Sequence, residues 1–256
     1  MTAPGWIRIV GIGPGPAEWT TPEALAVVEA ADDLVGYAPY LDRVESAHHR
    51  RHASDNREEI ARARHALDLA AEGAGVAVIS GGDPGIFAMA AAVMEALEAA
   101  DHDRWAGVDV GVVPGLSALQ AVAARAGAPL GNDFCALSLS DNLKPWSLIQ
   151  RRLRLAAEAD FAIALYNPIS RSRPWQLGAA LELLREVRAT DTPVVLGTAV
   201  GRGESEQLVL TTLGEADPEW ADMRTLLIIG ASTSRFLAGP EGRRRVYTPR
   251  WHEGLE

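Results

Sequence analysis

The chain predicts an α/β protein of two domains with largely parallel or mixed sheets. Three observations carry that reading: short β-branched runs bounded by glycine and proline, helical patterns lying between several of them, and a turn-rich interruption near the midpoint. The apolar runs cover residues 7–12, 76–80, 108–113, 161–166, 193–198 and 225–230. Apolar residues recur at three-to-four spacing over 22–31, 57–72, 86–99, 117–127, 147–158 and 174–188, the period of a helix with one buried face. Strands that alternate with helices need crossover connections, which favour parallel pairing. Gly127-Ala128-Pro129-Leu130-Gly131-Asn132-Asp133 gathers breaker residues, so the boundary is expected there, giving domains 1–130 and 131–256. Residues 207–212 read as a hairpin strand rather than a crossover, so the second sheet is expected to be mixed. No internal repeat or low-complexity tract interrupts this pattern.

Composition narrows the class. At 256 residues, 48% hydrophobic and 23% charged, the chain can bury a core in each half and fold unaided. A formal charge of −10 argues against non-specific binding to nucleic acid or acidic membranes. No apolar run approaches the roughly 20 residues of a membrane span, and Met1-Thr2-Ala3-Pro4-Gly5-Trp6 lacks a basic region leading to an apolar core. The expectation is a cytoplasmic protein with no membrane and no nucleic-acid partner. Cys135 is the single cysteine, which excludes an intrachain disulfide and a cysteine metal cluster; it reads as part of an apolar strand at 134–137. Basic side chains are almost all arginine, Lys144 being the one lysine, so a polyanionic substrate would meet guanidinium forks.

The first strand runs into Gly11-Ile12-Gly13-Pro14-Gly15-Pro16. Glycine there permits a tight turn and close backbone approach to a ligand at the carboxyl edge of a sheet. A dinucleotide fingerprint needs glycine where Pro16 stands, and no Gly-Lys-Ser/Thr forms a phosphate loop. Two further apolar strands end in Gly81-Gly82-Asp83-Pro84-Gly85-Ile86-Phe87 and in Pro114-Gly115-Leu116-Ser117-Ala118. Three such ends can converge on one crevice. Asp83 and Ser117 suit either ligand hydrogen bonding or helix capping.

In the second half, Tyr166-Asn167-Pro168-Ile169-Ser170-Arg171-Ser172-Arg173-Pro174 sets basic groups at a strand end, a natural site for an acidic substrate. Another strand leads to Ala199-Val200-Gly201-Arg202-Gly203-Glu204. The stretch 43–65 is rich in Arg and His, including His48, His49 and His52. It reads as a solvated linker and helix face rather than a metal or pH-sensing site, and no metal is expected.

Taken in order, these motifs resemble the class III tetrapyrrole methylase family, which includes uroporphyrinogen methylases, cobalamin-pathway methylases and diphthine synthase. Gly11 to Gly15, Gly81-Gly82-Asp83-Pro84 and Val113-Pro114-Gly115-Leu116-Ser117 carry the general likeness, which runs from about Ile7 to Phe236. Gly36-Tyr37-Ala38-Pro39-Tyr40-Leu41, Ser138-Leu139-Ser140-Asp141, Pro145-Trp146, the Tyr166 to Arg173 segment and Thr211-Thr212-Leu213 resemble its C17-methyltransferase members. The resemblance implies S-adenosylmethionine as cofactor, leaving as S-adenosylhomocysteine, in a cleft between the domains. Pro14, Gly81, Gly82, Asp83, Ile86, Ser117, Ala118, Asn167, Ala199 and Val200 would touch it. It also implies a homodimer, and methylation of precorrin-3B at C17 with contraction of the macrocycle and extrusion of C20 as an acetyl group.

Methyl transfer from a sulfonium needs little acid–base help, so alignment should dominate. Ring contraction does move protons. Asp141, Lys144, Arg171, Arg202 and Glu204 are the candidates, with Glu204 and Asp141 taken as the catalytic pair because both sit in loops near strand ends. The uroporphyrinogen methylases carry an aspartate where this chain has Gly36-Tyr37, so Tyr37 is assigned instead to stacking on, or hydrogen bonding to, the substrate. Arg171, Arg173 and Arg202 are assigned to its carboxylates. Rival readings are a corrinoid-ring methyltransferase acting at C11 or C20, diphthine synthase, and a nucleotide-binding module without catalysis.

Overall fold

The computed structural model describes residues 5–45, 48–99 and 104–251; the first four residues, read above for the absence of a leader, lie outside it. Two compact units make up the chain, Met1–Ala118 and Leu119–Glu256. No helix among the described residues is long and apolar enough to cross a membrane.

The N-terminal unit runs β1 (Trp6–Gly11), α1 (Pro22–Ala30), β2 (Asp33–Tyr37), α2 (Ala38–Leu41), β3 (Arg50–Ser54), α3 (Glu59–Ala71), β4 (Gly75–Ser80), α4 (Met89–Glu98) and β5 (Asp109–Val113). Its strands pair only in parallel, in the order β3-β2-β4-β1-β5. Both faces are covered, so the central strands are apolar without alternation. Ile7, Ile9, Val76 and Val78 pack on Ala63, Ala66 and Leu67 of α3 and on Val93 of α4. Val10, Leu34 and Ile79 pack on Ala24 and Val28 of α1.

The edge strand β3 corrects part of the reading of residues 43–65 as linker and helix face: residues 50–54 pair with β2, while 59–65 do lie on α3 as expected. Apolar periodicity cannot reveal this strand, because a polar network anchors it. Asp33, fully buried, accepts Arg50 Nε at 2.7 Å and Nη2 at 2.6 Å and lies 2.9 Å from His52 Nε2. His52 Nδ1 in turn lies 2.9 Å from His65 Nε2 on α3. The Arg50 hydrogen bond, joined by His52 and opposed by desolvation, holds the Asp33 carboxyl below the usual carboxylate range.

In the C-terminal unit, α5 (Ala118–Ala126) leads through β6 (Gly127–Ala128), β7 (Phe134–Ser138), α6 (Trp146–Glu158), β8 (Ala162–Tyr166), α7 (Gln176–Arg185) and β9 (Pro193–Thr198) to β10 (Gln207–Thr212), β11 (Thr225–Ile229), β12 (Arg235–Ala238) and β13 (Arg244–Tyr247). The main sheet has the order β10-β9-β11-β8-β7. It is mixed, as expected: β7 and β8 are parallel, and β8, β11, β9 and β10 pair antiparallel in turn. Ile149 and Leu153 of α6 and Leu177 and Leu181 of α7 bury against Ile163, Leu165, Leu196 and Leu227.

The expected boundary at residue 130 moves to the start of α5. The breaker-rich stretch is not a linker, because Gly127 and Ala128 pair in parallel with Val246 and Tyr247 of β13. On α5, Val122 fills the space above Gly197, where an added Cβ would lie 2.4 Å from its Cγ2. At the far edge of the main sheet, the Arg188 side chain is nearly inaccessible and donates to the carbonyls of Ala157, Phe161 and Gly230 while pairing with Asp160 at 2.7 Å.

Replacing the buried carboxylate, Asp33→Asn, is expected to cost about 2 kcal/mol at neutral pH. A depressed carboxylate pKa stabilises the fold above the unfolded-state value, and that contribution disappears as pH falls through the folded value. The wild-type advantage in urea unfolding should therefore shrink below about pH 4. A gap independent of pH would contradict this account of β3.

Candidate functional site

In the parallel sheet β1 lies between β4 and β5, so their carboxyl ends release the three glycine loops side by side. Gly13 N donates to Gly82 O at 3.2 Å, Gly82 N to Gly13 O at 3.0 Å, and Ile12 N to Ser80 O at 3.0 Å. Gly11, Gly82 and Gly115 then touch backbone to backbone. A Cβ on Gly115 would lie 2.4 Å from Gly82 O, and one on Gly11 would lie 2.7 Å from both Gly82 O and Gly115 N. No side chain fits either place.

Asp83 fastens the second loop to the third. One carboxylate oxygen accepts Gly85 N at 2.8 Å and the other Gly115 N at 3.1 Å. The capping alternative is corrected here, since α4 begins only at Met89; loop 81–88 stays irregular, with Phe87 at φ 54°. Arg43 closes the first loop from outside, donating through Nη2 to Ile12 O at 3.2 Å and Gly13 O at 3.0 Å. The Tyr40 ring occupies the space beside Gly81 and meets Tyr37 edge to face at 5.3 Å. Of the residues read as cofactor contacts, Pro14, Gly81, Gly82, Asp83 and Ile86 are half-buried, Ser117 is buried, and Ala118 opens α5.

In the C-terminal unit, β7, β8 and β9 end at one sheet edge, because β8 and β9 each run antiparallel to β11 between them. Two of these ends bear backbone strain. Asn167 follows β8 at φ 51° and Ala199 follows β9 at φ 49°, in the left-handed region that non-glycine residues avoid and that clusters at ligand sites. Asn167 is held there: its Nδ2 donates to Ser138 Oγ at 3.0 Å and its carbonyl accepts Arg173 Nη1 at 3.0 Å. Ala199 and Val200 are buried.

These loops sort the remaining candidates. Arg171 and Arg202 are exposed at this edge. Arg173, assigned above to substrate, is only 9% exposed and braces the Asn167 turn through Nη1. Asp141 accepts Gln176 Nε2 on both oxygens, at 3.2 and 3.1 Å, so a neutral amide holds it in place. Glu204 stands exposed in the 3-10 turn Gly203–Ser205. The carboxylate built into this loop is Glu206: it accepts Gly201 N at 2.8 Å and Arg125 Nε at 2.7 Å, and the arginine draws its pKa down. Sequence reasoning missed Glu206, Arg43, Tyr40, Ser138 and Gln176. Tyr40 and Ser138 lay inside motifs already marked, whereas the others act across long separations that spacing does not disclose.

A parallel unit with converging glycine loops and a mixed-sheet unit with strained strand ends define a two-part α/β protein whose candidate site lies in the loops at strand carboxyl ends. The family model of the Tetrapyrrole (Corrin/Porphyrin) Methylases matches residues 7–217, and the chain belongs to that family. It is 54% identical over 251 residues to the precorrin-3B C(17)-methyltransferase of Sinorhizobium sp, covering 98% of each chain. The crystal structure of the methyltransferase CobJ superposes with a TM-score of 0.90 at 48% identity, covering 96% of this chain and all of that one. The uroporphyrin-III C-methyl transferase of Thermus thermophilus complexed with S-adenyl homocysteine shares the fold, with a TM-score of 0.65 at 24% identity, covering 88% of this chain and 92% of that one.

Gly115→Ala should destabilise the protein by about 2 kcal/mol in chemical denaturation, the usual cost of forcing atoms into a packed site. In contrast, Gly178→Ala on α7, where an added Cβ meets nothing nearer than 3.9 Å, should stabilise it by up to about 0.8 kcal/mol through helix propensity. Equal effects of the two substitutions would contradict the backbone-contact account.

Proposed function

We propose that the chain is an S-adenosylmethionine-dependent C-methyltransferase that methylates precorrin-3B at C17 and contracts the macrocycle to precorrin-4 in cobalamin biosynthesis. The near full-length identity to the Sinorhizobium enzyme carries this reading, and the glycine loops support it. At Gly82, φ 71°, an added Cβ would meet only Leu116 O, at 4.0 Å. Open space bordered by backbone is what a cofactor held through main-chain groups requires.

Pro14, Gly81, Gly82, Asp83, Ile86, Ser117 and Ala118 would hold S-adenosylmethionine, and the family resemblance assigns Asn167, Ala199 and Val200 to it as well. When bound, it supplies a methyl group already activated on a sulfonium. The chain's own work is alignment. The Gly11–Gly82–Gly115 contact and the Asp83 bridge hold the loop backbones together, and Ser138 and Arg173 hold Asn167. Tyr37, Arg171 and Arg202 would face the tetrapyrrole and its carboxylates. Of the two carboxylates considered for proton movement, half-buried Asp141 is positioned by Gln176, while Glu204 faces solvent; we assign the role to Asp141. We further propose a cytoplasmic homodimer, as the family resemblance implies.

Incubation with precorrin-3B and labelled S-adenosylmethionine should yield, by mass spectrometry, a ring-contracted product carrying the label at C17. Label at C11 or C20, or transfer to a protein acceptor, would overturn the assignment. Cofactor retained with no turnover would support the non-catalytic alternative.

Two neighbouring arginines should separate in kinetics. Arg171→Ala is expected to raise KM for the tetrapyrrole about tenfold, the value of one charged hydrogen bond, with affinity for S-adenosylhomocysteine unchanged. Arg173→Ala should instead lower stability by about 2 kcal/mol, because it releases the Asn167 carbonyl in a buried setting. Identical phenotypes would refute the division of labour between them.

A further inference from the structure

Lys144 sits half-buried in the loop from β7 to α6, at the same sheet edge as the Asn167 and Ala199 turns. No carboxylate answers its charge among the described residues. Asp141, earlier in the same loop, is engaged on both oxygens by Gln176 instead. The charge that acts on Lys144 is another cation, the exposed Arg152 of α6, and burial together with that guanidinium pushes the ammonium below the ordinary lysine range. A partly buried ammonium with a second cation near it and no carboxylate partner favours an anion that joins them.

The neighbouring surface is apolar and aromatic. Trp146 and Trp175 meet edge to face, centroids 5.0 Å apart at 77°. Trp175 is 49% exposed and Leu143 is 98% exposed, unusual for large apolar side chains of one short loop cluster. Arg171 belongs to the same loop as Trp175. An apolar aromatic wall beside unneutralised cations complements a flat, apolar ring system fringed by carboxylates.

We propose that Lys144, Arg152 and the Trp146–Trp175 pair form a binding subsite for one peripheral carboxylate of the tetrapyrrole and the ring edge next to it. The inference rests on the tetrapyrrole reading of function and adds to it the residues that grip one side of the macrocycle. Lys144 here binds substrate and has no part in the methyl transfer itself.

Uroporphyrin III, a stable coloured polycarboxylate of the same ring class, is the probe. Its affinity would be measured by absorbance titration for the wild type, Lys144→Gln, Lys144→Arg and Trp175→Ala, with S-adenosylhomocysteine affinity measured by calorimetry on the same samples. The subsite predicts about tenfold weaker porphyrin binding for Lys144→Gln, largely restored by Lys144→Arg, weaker binding for Trp175→Ala, and unchanged S-adenosylhomocysteine affinity throughout. Wild-type porphyrin binding that Lys144→Gln and Trp175→Ala both leave intact would overturn the subsite and spare the functional reading. A wild type that binds S-adenosylhomocysteine but no porphyrin would overturn that functional reading, and the subsite with it.

Discussion

The contact among Gly11, Gly82 and Gly115 is the constraint from which the N-terminal site follows. Three parallel strands can bring their ends together only if the chains leaving them pass within backbone contact. Any Cβ at Gly11 or Gly115 would stand inside that contact, so the geometry is available to glycine alone. Once the backbones touch, the Gly13–Gly82 pair of hydrogen bonds and the two-sided Asp83 carboxylate become possible. The three loop backbones are thereby held together, with the Tyr40 ring beside Gly81 and Arg43 on the first loop. Such preorganisation is what methyl transfer asks of a protein, since the reagent needs orientation more than proton chemistry.

The C-terminal unit reaches a comparable rigidity by other means. Where the first unit removes side chains, the second stores strain: Asn167 and Ala199 occupy the left-handed region directly after their strands. That conformation persists because its surroundings over-determine it. Ser138 and Arg173 hold Asn167 from both sides, and β7 supplies Ser138 because it is the parallel neighbour of β8. Buried arginines recur as fasteners here: Arg173 donates to the Asn167 carbonyl, and Arg188 donates to three carbonyls while pairing with Asp160.

Much of this was legible in the sequence, for definite reasons. Strands buried along their whole length, such as β4, β9 and β11, announce themselves as apolar runs, and the helices that cover the sheets keep a clear period. The glycine loops were visible because their chemistry is local: the residues that touch are the residues of the motif. What stayed hidden acts at long range or without apolar signal. The β3 strand is exposed and arginine-rich, and only the buried Asp33, far upstream, reveals why it pairs. The 127–133 stretch reads as a linker by composition, yet its glycine and alanine complete a small sheet with β13. Arg173 and Arg171 look alike in sequence, and burial alone separates the brace from the exposed group. Glu206 lay two residues beyond the carboxylate that sequence favoured, distinguished by Arg125 on a distant helix and by the Gly201 amide.

The most direct test of the account is the affinity for S-adenosylhomocysteine, measured by titration calorimetry on the wild type and on Gly11→Ala, with circular dichroism to confirm that both are folded. If the glycine contact builds the cofactor site, the wild type binds and the folded variant loses at least about tenfold in affinity, the factor that corresponds to roughly 1.4 kcal/mol. A folded Gly11→Ala protein that binds as the wild type does would contradict it.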